Sequence, residues 1–293
     1  MVIHPDYSMI RRLKELWAAS FDDTLEYIDF YFNNIFNENN CAVYIEGGQP
    51  VSVVHWLNCR INTSKCACSA IYLYAIATDS NYRRRGNIKK IYDYIVNYCK
   101  ENNIEGIVIN TNEMSKPLTE NYGFTPEILI DNYTINDMEI NKNYNLSECK
   151  FERFYQLRKY YVDKAPLSVY WSKPELEYFY NEHIICGHKF FELSGGYCIV
   201  QKENRSIFIE EFFCEREHQL QFLQCICGYF NSCDIFMRIR QGYELSKDIK
   251  YTKKDTSVIA YTYSCTDSNV PLFEKIKKES ASAGFPYLNI LGE

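Results

Sequence analysis

Long apolar runs are missing from this chain of 293 residues. None reaches the eighteen or so residues that a membrane span needs, so no membrane association is expected. The opening residues, Met1-Val2-Ile3-His4-Pro5-Asp6, lack the apolar core of a secretion signal, which makes a cytoplasmic location the expectation. Positive charge is not in excess: 32 Lys and Arg stand against 38 Asp and Glu, a net charge of −6. General nucleic-acid binding needs the opposite balance, so no nucleic-acid partner is expected. The two-residue gap of structural zinc sites is absent too. Cys66-Ala67-Cys68 and Cys225-Ile226-Cys227 have one-residue gaps, and no metal is expected. Two phosphate-binding patterns, Gly-x-x-x-x-Gly-Lys-Ser/Thr and Gly-x-Gly-x-x-Gly between strand and helix, do not occur.

What remains is a globular composition, 46% hydrophobic and 24% charged, long enough for one large or two ordinary domains. Aromatics are abundant, with 26 Tyr and 18 Phe, as in strand-rich cores. The 13 cysteines are an odd number, so an oxidising compartment would leave one unpaired. Reduced, buried cysteines are the expectation.

Spacing divides the first half into elements. Asp6 to Ser20 reads as a helix with Ile10, Leu13, Leu16 and Trp17 on one side, and Asp22 or Asp23 is expected to cap a second helix to Asn34. Cys41–Glu46 and Val51–Leu57 read as a hairpin across Gly47-Gly48-Gln49-Pro50. Asn58 to Ser69 reads as a polar loop. Ala70–Ala77 is an apolar strand, and Ile88, Ile91, Tyr92, Ile95, Val96 and Cys99 recur at helical spacing behind it. Between the two lies Tyr82-Arg83-Arg84-Arg85-Gly86-Asn87-Ile88. A basic turn with a glycine at a helix start suits a phosphate, because the first helical N–H groups are unpaired and the helix dipole favours an anion. Ile104–Asn110 reads as a buried strand. Asn112-Glu113-Met114-Ser115-Lys116-Pro117-Leu118-Thr119-Glu120-Asn121-Tyr122-Gly123-Phe124 reads as a short helix closed by glycine, followed by a strand over 127–133.

This order, with Arg83-x-x-Gly86 and Leu118–Phe124, resembles the core of the GNAT acetyltransferase superfamily over roughly residues 1 to 140. The helices around Leu13–Trp17 and Glu26–Phe32 look like the opening helices of its enhanced-intracellular-survival branch. The resemblance implies an α/β (α+β) fold with a mixed, mostly antiparallel sheet flanked by helices, and acetyl-CoA as cofactor. It implies that main-chain groups of Ile76, Ala77 and Thr78 meet the thioester and pantetheine, and that Arg83, Arg84, Arg85, Gly86, Asn87 and Ile88 cradle the pyrophosphate, with Asn112 nearby. Arg84 stands where the family often has glycine, and Ile88 replaces a small residue. The family's tyrosine acid corresponds to Thr119, a weaker acid than phenol, whose pKa is about 10. Tyr122 and Tyr74 are the alternatives. Glu113 is the base candidate, Glu46 and His55 are weaker ones, and the terminal carboxylate at Glu293 corresponds to a base in some relatives.

Asn132 to Glu148 is rich in Asn and Asp, so the boundary is expected between a domain over 1–144 and another over 145–293. The second half repeats the order: helices over 151–161 and 174–184, strands over 189–193, 197–202 and 206–213, a helix over 216–230 and a strand over 235–240. Strands over 258–264 and 287–291 enclose a final helix over 272–280. It is read as a degenerate GNAT-like domain. At the place of the basic turn it has Cys214-Glu215-Arg216-Glu217-His218, which lacks glycine and carries acids that repel pyrophosphate. Two functions follow from the resemblance. One is an acetyl-CoA-dependent N-acetyltransferase acting on the amine of a small molecule or peptide. The other is a CoA-binding sensor or scaffold with little or no turnover.

Overall fold

Apolar spacing sets the local structure, and a computed structural model shows the result for residues 1–63, 65, 67–111, 115–141, 146–163, 165, 167–267, 269–280 and 284–288. Along the chain run β1 (Val2–Ile3), α1 (Ile10–Ala18), α2 (Leu25–Asn34), β2 (Cys41–Glu46), β3 (Gln49–Asn62), β4 (Ala67–Thr78), α3 (Asn87–Glu101), β5 (Gly106–Ile109), α4 (Lys116–Tyr122) and β6 (Thr125–Ile135). There follow β7 (Ser147–Glu148), α5 (Phe151–Asp163), β8 (Val169–Tyr170), α6 (Lys173–Ile185), β9 (Lys189–Leu193), β10 (Gly196–Glu203) and β11 (Ser206–Phe213). The last elements are α7 (Gln219–Phe230), β12 (Ile235–Arg240), β13 (Thr252–Ser264) and α8 (Leu272–Ser280).

The elements gather into two compact units. The first holds residues 1–61, 66–127 and 260–279; the second holds 62–65, 128–259 and 280–293. In the first unit β1 pairs antiparallel with β2, and β2 with β3. β4 lies beside β3 and runs parallel to β5. Tyr261–Ser264 of β13 then pair antiparallel with β5. The α3 stripe of Ile91, Tyr92, Ile95, Val96 and Cys99 is buried, as the spacing requires. It packs with Trp56, Ile71, Leu73, Ile107 and Ile109 into one apolar cluster. In the second unit β9, β10 and β11 form an antiparallel meander. β11 runs parallel to β12, and β12 antiparallel to β6. Phe222, Leu223, Ile226 and Cys227 of α7 close over that sheet. Within each unit the strand pairing is mixed and mostly antiparallel.

Two local readings are corrected. The segment from Asn58 is not a loop throughout, because β3 runs to Asn62 and β4 begins at Ala67. Leu57, Cys59 and Ile61 are buried while Asn58 and Arg60 are exposed, a period of two that identifies strand. The cap of α2 is Thr24, whose Oγ1 accepts the Tyr27 N–H at 3.2 Å. The Asp23 carboxylate accepts instead from Trp17 Nε1 at 2.6 Å. At the other end of the chain, Tyr287 makes an isolated parallel bridge to Ser168, and 289–291 lie outside the described residues.

The described cysteines are buried except for Cys186, which is exposed, and Cys233, which is partly so. No helix among the described residues is long and apolar enough to cross a membrane, and no metal-ligand group is found among them.

Candidate functional site

The site begins where two parallel strands part. β4 and β5 pair from Ala70↔Gly106 to Leu73↔Ile109. β5 ends there, while β4 continues to Thr78. Two residues past the last pair, Ala75 holds left-handed backbone at φ +46°. An alanine pays for that conformation, since its Cβ crowds the carbonyl, so surrounding structure must enforce it. The kink leaves Ile76, Ala77 and Thr78 beyond the split. Ala77 is buried, Ile76 is half-buried, and Thr78 Oγ1 donates to Ser52 Oγ at 3.1 Å.

The turn after β4 is built from the backbone outward. Asp79 accepts from the Asn81 N–H at 3.0 Å, and its carbonyl accepts from the Tyr82 N–H at 2.8 Å. Arg12 of α1 ion-pairs with Asp79 and also donates to the Pro50 carbonyl. The Asn81 N–H and the Arg12 guanidinium hold the Asp79 carboxyl below its usual pKa.

The three arginines divide their work. Arg83 Nε donates to the Thr78 carbonyl at 3.2 Å, which ties the turn to the strand end. Arg85 donates to the Asn81 carbonyl at 2.8 Å, ion-pairs with Glu46 at 3.1 Å and lies 4.9 Å from the Tyr82 ring centre. Arg84 is exposed, and its backbone is left-handed at φ +62°. Gly86 follows at φ +73° and opens α3 without any side-chain cap.

The first helical N–H groups, those of Asn87, Ile88 and Lys89, follow directly on a turn carrying Arg83, Arg84 and Arg85. Asn87 is buried; Nδ2 donates to the Tyr82 carbonyl at 3.3 Å and Oδ1 has no partner among the described residues. Ile88 packs against the apolar cluster, so its bulk points away from the turn. Space around Gly86 is open, since a Cβ there would meet nothing within 4 Å. The left-handed backbone, not crowding, is what asks for glycine.

Aromatic side chains occupy the α1 and α2 side of β4. Tyr74 and Tyr27 share a hydroxyl–hydroxyl hydrogen bond of 2.7 Å. His55 is fully buried among Trp17, Tyr31, Phe32 and Phe36, and its Nδ1 shares a hydrogen bond with Tyr31 at 3.2 Å. Burial lowers the His55 pKa to about 3, so the ring is neutral.

The α4 candidates sit apart from that group. Thr119 is fully buried, and its Oγ1 donates to the Ser115 carbonyl at 3.2 Å. Tyr122 donates to Asp93 Oδ1 at 2.8 Å; burial and that carboxylate push its pKa up. Glu46 is half-exposed and engaged by Arg85. Asn112, Glu113 and Glu293 lie outside the described residues. Sequence reading missed Ala75 and Asp79. Nothing in the sequence marks Ala75, but Asp79-Ser80-Asn81 after a strand is a turn signal.

Residues 5–126 match the acetyltransferase (GNAT) domain family. No curated protein matches the chain. A conserved protein of unknown function from Enterococcus faecalis V583 is 14% identical at a TM-score of 0.73, over 90% of this chain and 72% of that one. A GCN5-related N-acetyltransferase from Anabaena variabilis is 11% identical at 0.72, over the same shares of 90% and 72%. Eis1 from Mycobacterium abscessus is 8% identical at 0.67, over 90% of this chain and 74% of its own. At such identities the likeness is one of fold.

Proposed function

We propose that this chain, whose residues 5–126 match the acetyltransferase (GNAT) domain family, moves an acetyl group from acetyl-CoA to the primary amine of a small molecule or peptide. The observation that carries the reading is the parting of β4 from β5 after Leu73 and Ile109, followed on the same strand by the open basic turn.

The residues present fit acetyl-CoA. The uncapped N–H groups of Asn87, Ile88 and Lys89 suit a pyrophosphate, and a charge there gains from the helix dipole. Arg84 adds positive charge, while Arg83 and Arg85 hold the turn's shape. Ile76, Ala77 and Thr78 offer main-chain groups beside the split for an amide-bearing arm. When bound, acetyl-CoA supplies an activated acyl carbon as its thioester. Tyr74, the first residue past the last β4–β5 pair, carries a hydroxyl already hydrogen-bonded to Tyr27. That hydroxyl is suited to hold a proton at Oη near the reacting centre. Thr119 and Tyr122 have their hydroxyls engaged by Ser115 and Asp93.

The engagement of Thr119 and Tyr122 favours a second reading, in which the chain binds CoA as a sensor or scaffold without turnover. The readings separate in one assay series. Thiol release from acetyl-CoA is followed across a panel of primary amines, beside a donor titration. Amine-dependent release supports the transferase. Binding without release from any amine selects the sensor, and absence of binding removes both.

A further inference from the structure

The second unit repeats the parting of strands, and there the gap is filled. β11 and β12 pair in parallel from Ile207↔Ile235 to Ile209↔Met237 and no further. Beyond that point β11 stays with β10 to Phe213, and β12 stays with β6 to Arg240. As in β4, the chain is irregular at the split: the β10–β11 register slips between Ile199 and Val200, leaving Glu210 as the extra residue.

Residues 285–288 occupy this place. Tyr287 donates its hydroxyl to Glu211 Oε1 on β11 at 2.7 Å, and its ring meets Phe213 edge-on with centres 5.7 Å apart. On the β12 side, the Arg240 guanidinium lies 5.7 Å from the same ring and donates to the Phe285 carbonyl at 3.3 Å. Just past β12, Gly242 faces the Phe285 ring so closely that a Cβ would come within 2.8 Å of it. Main-chain bonds fix the segment as they would a bound strand. Tyr287 N–H donates to the Leu167 carbonyl at 3.2 Å, and Val169 N–H donates to the Tyr287 carbonyl at 2.7 Å. Tyr287 and Leu288 are 2% and 0% exposed, so the surrounding residues enclose them.

The recess is chemically different from the first unit's turn. Its carboxylate, Glu211, is buried and faces Arg158 Nε at 3.5 Å. The neighbouring turn is sealed, because Tyr243 Oη donates to the Cys214 carbonyl at 2.7 Å and Gln219 Nε2 donates to the same carbonyl at 3.3 Å.

The geometry points to a second ligand site in this chain: the split between β11 and β12 is a peptide-binding recess, which recognises an extended segment with a tyrosine and is occupied by the chain's own residues 285–288. It stands independently of any donor site in the first unit. A fluorescently labelled Gly-Phe-Pro-Tyr-Leu peptide, added to the full-length protein, tests it by anisotropy. The Tyr287→Ala variant binds the peptide at least tenfold more tightly than the wild type, whose recess is filled, and a Phe-for-Tyr peptide binds at least fivefold more weakly. Equal binding by both proteins, or none by a variant whose β11 amides exchange as in the wild type, overturns the proposal. If the variant does not fold, hydrogen exchange in the wild type decides. Tyr287 and Val169 amides at least a hundredfold slower than an unstructured peptide support the recess, and free exchange overturns it.

Discussion

Arg84 and Gly86, two residues apart, both hold left-handed backbone, at φ +62° and +73°. The pair turns the chain sharply enough to present the start of α3 to whatever the turn receives. A non-glycine residue in that region costs about 1–2 kcal/mol. Arg84→Gly removes this cost, offset in part by the freer unfolded chain. Its melting temperature is expected to stay level or rise by a few degrees, about 1 kcal/mol or less in stability. Its acetyl-CoA affinity should fall by less than about tenfold, since one exposed charge is lost and the main-chain donors remain. Thermal melts and calorimetric titration check both numbers.

His55 makes stability depend on pH. Its pKa is about 3 in the folded protein and about 6.5 when exposed. The folded state therefore resists a proton that the unfolded chain accepts. Stability from the neutral ring is full above about pH 6.5 and is lost as pH falls toward 3, by about 1.4 kcal/mol per pH unit. His183 adds to the same trend, its pKa lowered by burial to about 4. Denaturant melts at a series of pH values should show His55→Gln with a shallower loss than the wild type between pH 6 and pH 4. An unchanged slope would place the effect elsewhere.

Tyr27 and Tyr74 form one unit. Removing either hydroxyl breaks the hydrogen bond between them, at about 1 kcal/mol. Tyr27→Phe with Tyr74→Phe together should cost less than the sum by at least about 0.5 kcal/mol. If Tyr74 Oη holds the proton in transfer, Tyr74→Phe lowers kcat while the acetyl-CoA Kd is unchanged. A rise in Kd alone would assign Tyr74 to packing.

Thr119 is a tight position. Restoring a tyrosine by Thr119→Tyr should destabilise the protein by about 1–3 kcal/mol, because the site is fully buried. Thr119→Val keeps the volume and loses the bond to Ser115 and the side-chain interaction with Tyr92, about 1–2 kcal/mol. Chemical denaturation distinguishes the two. A tyrosine variant as stable as the wild type would mean that α4 can move outward.

Local regularity made much of the fold readable. The α3 stripe was legible because Ile91, Tyr92, Ile95, Val96 and Cys99 recur every three to four residues, and the structure buries all of them. The packing of Ile88 against the core follows from the same stripe. Strand ends were harder. The outer parts of β3 and β13 are polar on one or both faces, so Asn58–Asn62 and Thr252–Ser257 carry little apolar signal. The joining of residues 260–279 to the first unit depends on pairing between β5 and β13, which no local pattern records. The candidate site was legible in the glycine and arginines of the turn. The kink at Ala75 was not, because strain imposed by neighbours leaves no mark on an ordinary alanine.

The central claim is that the open start of α3 holds the donor's phosphates. Calorimetric titration of acetyl-CoA into the wild type and Gly86→Asp tests it most directly. Aspartate tolerates left-handed backbone better than most residues and suits a helix N-terminus, so the variant should fold. The account predicts one acetyl-CoA bound per wild-type chain, with affinity at least tenfold weaker in Gly86→Asp at a melting temperature within a few degrees. Equal affinity in the two proteins, or no binding by the wild type, would contradict it.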